Sequence, residues 1–300
     1  MKIIFLYKSK IKFMLMMLYF FCFSSVIAYA GNRALYVSLK TESIGKIVLD
    51  KQAIYSNILD DKNKQNLLIN YLVSNKFNTI SMYDLDKILS SKEDTDKLNI
   101  FIDLARANGI VNIEAIGALS KSSWDKINYF HNNSRKFNAL LTEIEFWNKE
   151  VNFDDYIGTL NYIKSLKWKK VNNRTPELVS YLGWFTAEQS DAFVPLLDRV
   201  NLHCYVKSGD LAYSYCDERM KVIALSSIKF NKVTKIRPIF SAESNMYSAG
   251  SEVFMGDWLK ENSIYLAENM FLSKFKKQFF YKNNLQMNGF QYYEYLFLSM

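Results

Sequence analysis

From residue 33 onward, short apolar runs alternate with longer stretches whose apolar positions recur every three or four residues. RALYVSL (33–39), NTISMYDL (78–85), IVNIEAIGA (110–118) and FNALLTEIEFW (137–147) have the length and composition of strands. ELVSYLGW (177–184), RVNLHCYV (199–206), IRPIFSA (236–242) and GFQYYEYLFL (289–298) continue the series. Residues 61–77 predict a helix with Leu67, Leu68, Tyr71 and Leu72 on one face. A second helix over 94–109 starts at an Asp/Thr cap and stops at Asn108-Gly109. Further helices are expected around SSWDKINYF, from the Asn152 cap through YIGTLNYIKSLKW, and across SIYLAENMFLSKFKKQFF. AEQSDAFVPLLD also reads as helical, although Pro195 interrupts it.

Eight strands separated by helix-length segments predict a (β/α)8 barrel, the TIM-barrel architecture, as one domain over residues 31–300. A doubly wound sheet is the rival, but no glycine-rich phosphate turn follows the first strand. No linker rich in Pro, Gly or Ser divides the chain.

The first thirty residues break the rhythm. A lysine-bearing start runs into FMLMMLYFFCFSSVIAYA, which ends on Ala28-Tyr29-Ala30. That is the pattern of a secretory signal, and it predicts a secreted or periplasmic protein cleaved near Ala30. A retained N-terminal anchor is the alternative, because eighteen largely apolar residues can just span a bilayer. No later segment reads as a membrane span.

This segment changes the meaning of the charge. The whole chain carries +8, and removal of Lys2, Lys8, Lys10 and Lys12 leaves +4. The remaining lysine runs, LKWKK and KFKK, read as solvated helix faces, so no nucleic-acid partner is expected. Cys22 leaves with the signal, and Cys204 and Cys216 are expected to be unpaired, since a core this large needs no disulfide. With two histidines and no Cys-x-x-Cys pair, neither a metal site nor a cofactor is expected.

The chemistry concentrates in the fourth strand. Alternation places Leu141, Glu143 and Glu145 on one face, and inward positions near the C-terminal end of a barrel strand face the mouth. Two carboxylates crowded there raise one another's pKa, which supplies the acid and base that glycosidic bond cleavage requires. The same pattern also suits two solvated glutamates at a strand end, or glutamates paired with Lys or Arg.

Phe137-Asn138-Ala139-Leu140-Leu141-Thr142-Glu143-Ile144-Glu145 resembles the strand-four signature of family 18 glycoside hydrolases, Phe-Asp-Gly-x-Asp-x-Asp-x-Glu. Val200-Asn201-Leu202-His203-Cys204-Tyr205 resembles that family's Val-Asn-Leu-Met-x-Tyr-Asp, and Gly289-Phe290-Gln291-Tyr292-Tyr293 its closing Gly-x-Met-x-Trp. The resemblance implies a chitinase or endo-β-N-acetylglucosaminidase type of hydrolase acting on glycans that contain N-acetylglucosamine. In it, Glu145 would be the catalytic acid, Glu143 and Tyr205 would hold the substrate acetamido group, and Tyr293 would floor the subsite. Glu143 and Leu141 stand where the family has Asp, and Val206 replaces the Asp after the tyrosine. These departures keep a second reading open, that of a weak or inactive barrel which binds glycans or another protein.

Other groove candidates are Trp147, Trp184 and Tyr83, each near a strand end where aromatic faces can stack on sugars. Trp184 suits packing equally well. His203 alternates with Tyr205 and reads as a hydrogen-bonded or substrate-contacting histidine. Glu114 on the third strand is expected to point toward the mouth, with Glu243 a weaker candidate of the same kind. Glu294 is expected to point away from Tyr293 and pair with a lysine.

Overall fold

The computed structural model describes residues 32–40, 57–134, 136–149, 151–243 and 254–294. The expected signal, residues 1–30, lies outside them, as does the expected end of the last strand after Glu294. In chain order, β1 (Arg33–Val37) is followed by α1 (Lys62–Ser74), β2 (Thr79–Met82), α2 (Leu85–Ile88), α3 (Lys92–Ala107) and β3 (Asn112–Gly117). Then come α4 (Lys121–Ser134), β4 (Ala139–Thr142), α5 (Phe153–Ser165), β5 (Glu177–Leu182) and α6 (Ala187–Phe193). The last third holds β6 (Arg199–His203), α7 (Gly209–Lys229), β7 (Thr234–Ser241) and α8 (Gly256–Asn262). It ends with α9 (Ile264–Lys277), α10 (Phe279–Lys282), β8 (Leu285–Met287) and β9 (Phe290–Tyr293).

The strands pair in the order β6-β5-β4-β3-β2-β1-β9-β7, and β6 returns to β7. All pairings are parallel, so the eight strands close into a (β/α)8 barrel surrounded by helices. The short β8 lies against the start of β7, outside the closed ring.

Helix starts follow their caps. Asp61, Ser91 and Asn152 accept backbone N–H groups at the starts of α1, α3 and α5. Thr186 and Gln189 close a capping box on α6, which ends at Phe193, two residues before Pro195. The longest helix among the described residues, α7, buries Ala212, Cys216, Met220 and Ile223 on one face but also carries the exposed Leu211, Leu225 and Ile228. These extra apolar positions blur its period in the sequence.

The cysteines reverse an expectation. Cys204, just past β6, is joined by a disulfide to Cys216 on α7, with a Cα separation of 5.8 Å. The two residues are twelve apart, and the turn from strand to helix folds them back on each other.

Where β1 meets the end of the chain, an ion pair seals the barrel. Arg33 donates from Nε and Nη2 to the two carboxylate oxygens of Glu268 on α9, both at 2.6 Å. Tyr292 on β9 donates to the same carboxylate at 2.9 Å, and Tyr265 lies 3.9 Å beneath the guanidinium.

Glu114 is the second correction. It does not reach the mouth; it lies deep in the barrel, 1% exposed, near the N-terminal ends of the strands. Its Oε1 accepts from Arg199 at 2.6 Å and from Arg237 at 2.8 Å, and Ser81 donates to Oε2 at 2.7 Å. Glu114 is the third residue of a six-residue strand, so its inward direction points into the lower barrel. Burial pushes its carboxyl up, but Arg199 and Arg237 outweigh this and hold it at about 2.

Because that folded pKa lies below the usual 4.5, the carboxylate stabilises the fold above pH 4.5. The contribution is lost as pH falls from 4.5 toward 2. Replacing Glu114 with Gln leaves two buried guanidinium groups short of a counter-charge and should cost about 3–5 kcal/mol at neutral pH. Urea denaturation at pH 7 and pH 3 checks this: the gap between wild type and variant should narrow at pH 3.

Candidate functional site

β4 ends at Thr142, so Glu143 and Glu145 lie beyond the ladder, on the loop that leaves the C-terminal end of the barrel. Both are half-buried. Directly beneath them Leu141 packs with Tyr36, Ile116, Val179 and Ile239 in an apolar cluster inside the barrel. The glutamates therefore stand on an apolar layer rather than on other polar groups.

Each carboxylate has a tyrosine. Tyr83, just after β2, donates to Glu143, and Tyr181 on β5 donates to Glu145. Asn148, in the short turn after β4, also donates to Glu145. Burial pushes the Glu143 carboxyl up to about 7; Glu145 and Glu294 push it the same way, while the Tyr83 hydrogen bond opposes them.

Glu294 is the third correction. It is 3% exposed and faces the mouth, where it is hydrogen-bonded with Ser38 and repelled by Asp84 and Glu243. Alternation predicts the opposite direction, but β9 stops at Tyr293 and the rule stops with it. Burial, then those neighbouring carboxylates, raises Glu294 to about 7 as well. Glu243, at the end of β7, accepts from Ser241 at 2.8 Å and is raised by burial.

Aromatic rings surround the acids. Tyr36, Tyr83 and Tyr293 form one group, with centroid separations of 5.4, 5.7 and 6.4 Å. Tyr205 lies 6.3 Å from Tyr293 and 4.0 Å from His203, which meets Tyr181 at 5.7 Å. Trp147 closes on Tyr181 at 5.4 Å, and its indole occupies the space that a side chain on Gly183 would need. Trp184 is 51% exposed and farther out, linked to His203 through Tyr215. Its indole rests 4.6 Å from the buried Arg219 guanidinium. Burial, and then Arg219, lowers the His203 pKa to about 3, so the imidazole is neutral.

Of the residues singled out in the sequence, Glu143, Glu145, Tyr205, Tyr293, Tyr83, His203 and Trp147 come together at one end of the barrel. Trp184 lies at the border, and Glu114 is elsewhere. Tyr36 and Tyr181 were missed, although the alternation that selected Glu143 also points both of them inward. A cavity of about 350 Å³ opens beside Glu143, bordered by Tyr83, Asp84, Asp86, Ser120 and Lys126. Among the described residues, no group of three or more His, Cys, Asp or Glu is arranged to hold a metal ion. Nor is any helix there long and apolar enough to cross a membrane.

No protein-family profile matches the chain, and no curated protein matches it by sequence. Solved structures do match. A chitinase from Bacteroides thetaiotaomicron superposes with a TM-score of 0.51 at 13% identity, over 88% of this chain and 89% of that one. A candidate α-L-fucosidase from Bacteroides thetaiotaomicron VPI-5482 gives 0.51 at 9% identity, over 87% and 84%. A xylanase and α-amylase inhibitor from Scadoxus multiflorus gives 0.48 at 12% identity, over 89% and 94%. What the two likenesses at 0.51 establish is a fold. It is the TIM barrel that several distinct glycosidase families share, and nothing in it singles out family 18.

Glu143 binds its proton more tightly in the folded state than in the unfolded chain. Its contribution to stability is therefore present below pH 4.5 and lost as pH rises through about 7. A Glu143→Gln variant should gain about 1–3 kcal/mol on wild type between pH 4.5 and pH 8. Urea denaturation at the two pH values measures the difference, and a protonated-carboxyl infrared band present at pH 6 should weaken in the variant.

Proposed function

We propose that this protein is a retaining glycoside hydrolase acting on glycans that contain N-acetylglucosamine, of the chitinase or endo-β-N-acetylglucosaminidase type. The observation that carries the reading is the pair Glu143 and Glu145, two residues apart at the C-terminal edge of β4. Each is bonded to its own tyrosine, and burial, reinforced by the neighbouring Glu145 carboxylate, raises Glu143 so that it holds a proton near neutral pH. The aromatic wall suits sugar faces, and the motif resemblance on β4, β6 and β9 supplies the substrate class.

In this reading Glu145 gives its proton to the glycosidic oxygen as the bond from that oxygen to the anomeric carbon breaks. The substrate's acetamido oxygen forms a new bond to the same carbon. Glu143, ionised as this proceeds, stabilises the positive charge that develops on the ring, and Tyr205 hydrogen-bonds the acetamido group. Water then attacks the anomeric carbon as the bond from that carbon to the acetamido oxygen breaks, and gives its proton to Glu145, so configuration is retained. No cofactor enters the scheme. The protein would act outside the cytoplasm, after signal cleavage near Ala30.

Leu141 favours a second reading. In the family pattern a carboxylate stands there, and in this chain an apolar side chain fills the layer beneath Glu143. A barrel that binds glycans with weak or no turnover fits that replacement.

Hydrolysis of a panel of chitooligosaccharides and N-glycan cores by wild type, Glu145→Gln and Glu143→Gln separates the two. The hydrolase reading expects Glu145→Gln to lower kcat by about 10²–10⁴ with little change in KM. It also expects Glu143→Gln to remove a pH-rate limb near 7. Equal, negligible turnover by all three proteins, with glycan binding retained, would establish the binding module instead.

A further inference from the structure

At the end of the barrel opposite the glutamate pair lies a second cavity, of about 520 Å³. Its walls are the first residues of the strands: Asn112 opens β3, Ala139 β4, Glu177 β5 and Arg199 β6. Asn32 and Asn288 stand just before β1 and β9. The volume falls within the roughly 300–1,000 Å³ range of small-molecule sites.

Charge in this cavity is unbalanced. Arg174, Arg199, Lys235 and Arg237 line it together with only two carboxylates, Glu114 and Glu177, an excess of two positive charges. Arg199 and Arg237 are 3% and 2% exposed, and both donate to the same oxygen of Glu114. Glu177 is likewise shared, accepting from Arg199 at 2.8 Å and from Lys235 at 2.5 Å. Two buried guanidinium groups thus divide one carboxylate oxygen, and burial together with repulsion from Arg199 lowers the Arg237 pKa. Glu114 and Glu177 match the two buried guanidinium groups in number, so the surplus rests on Arg174 and Lys235, and two further cations facing an open cavity favour an anion within it.

The remaining lining narrows the chemistry. Arg237 Nη1 and Nη2 donate to Glu114 and Asn288, and a guanidinium nitrogen of this kind carries a second N–H suited to an oxyanion. The carboxamides of Asn112, Asn138 and Asn288 offer both donors and acceptors to oxygen-rich groups. No aromatic ring lines the cavity among the described residues, so a neutral sugar ring would find no face to stack on. We propose that the N-terminal end of the barrel is a binding site for a small oxygen-rich dianion, either a phosphate monoester or a polycarboxylate.

The experiment is calorimetric titration of the protein with inorganic phosphate, with citrate, and with chloride at matched ionic strength. The two test variants are Arg174→Ala, on the exposed rim, and Lys235→Met. Expected is saturable binding of one phosphate or citrate per chain, absent with chloride and weakened at least tenfold in both variants. Glu177→Gln, which removes a competing carboxylate, should tighten binding several-fold, an effect that a purely structural ion network would not give. Tighter phosphate than citrate would identify a phosphate monoester site, and the reverse order a polycarboxylate site. Unsaturable heat, a chloride response equal to the others, or undiminished affinity in both variants would overturn the proposal.

Discussion

A carboxylate held between two guanidinium groups occupies the place in this barrel where stacked aliphatic layers commonly lie. Glu114, Arg199 and Arg237 join β3, β6 and β7 across the interior, and Ser81 extends the bonding to β2. Gln291 on β9 donates to Ser81 at 2.9 Å and accepts from Asn201 on β6 at 2.6 Å, which completes the circuit. Because these groups satisfy one another only in one arrangement, they fix how the strands are staggered. They also confine the apolar filling to a single layer above them, of which Leu141, Val179 and Ile239 are part.

The mouth follows from that layering. Glu143 is cut off from the cations below by the apolar layer and sees carboxylates and tyrosines around it, so its proton is hard to remove. Two glutamates in one barrel thus end at opposite extremes: Glu114 at about 2 and Glu143 at about 7. Residue type does not distinguish them. Height along the strand does, by deciding which neighbours each one meets.

Much of this was legible in the amino-acid pattern. Short apolar runs marked all eight barrel strands, and alternation together with motif resemblance led to Glu143, Glu145, Tyr205 and Tyr293. What alternation reports is the side of a strand; it says nothing of depth within a barrel. Glu114 was therefore assigned to the correct face and the wrong end. Glu294 failed for a related reason, since it follows the last paired residue and no longer obeys the ladder. The Cys204–Cys216 pairing depends on how β6 turns into α7, a helix whose exposed leucines and isoleucine blur its period in the sequence. Arg219, bonded among the described residues to the backbone carbonyls of Gly183 and Tyr215 and stacked against Trp184, gave no pattern of its own.

The bidentate contact between Arg33 and Glu268 spans 235 positions of the chain. β1 has one neighbour, β2, close to it along the chain, but its other neighbour, β9, follows all the other described strands. Until β9 and α9 have been made, the first strand keeps an unpaired edge and Arg33 lacks its carboxylate. The seam of the barrel therefore cannot close before α9 and β9 are in place, so the pairing that completes the ring is one of the most non-local in the fold.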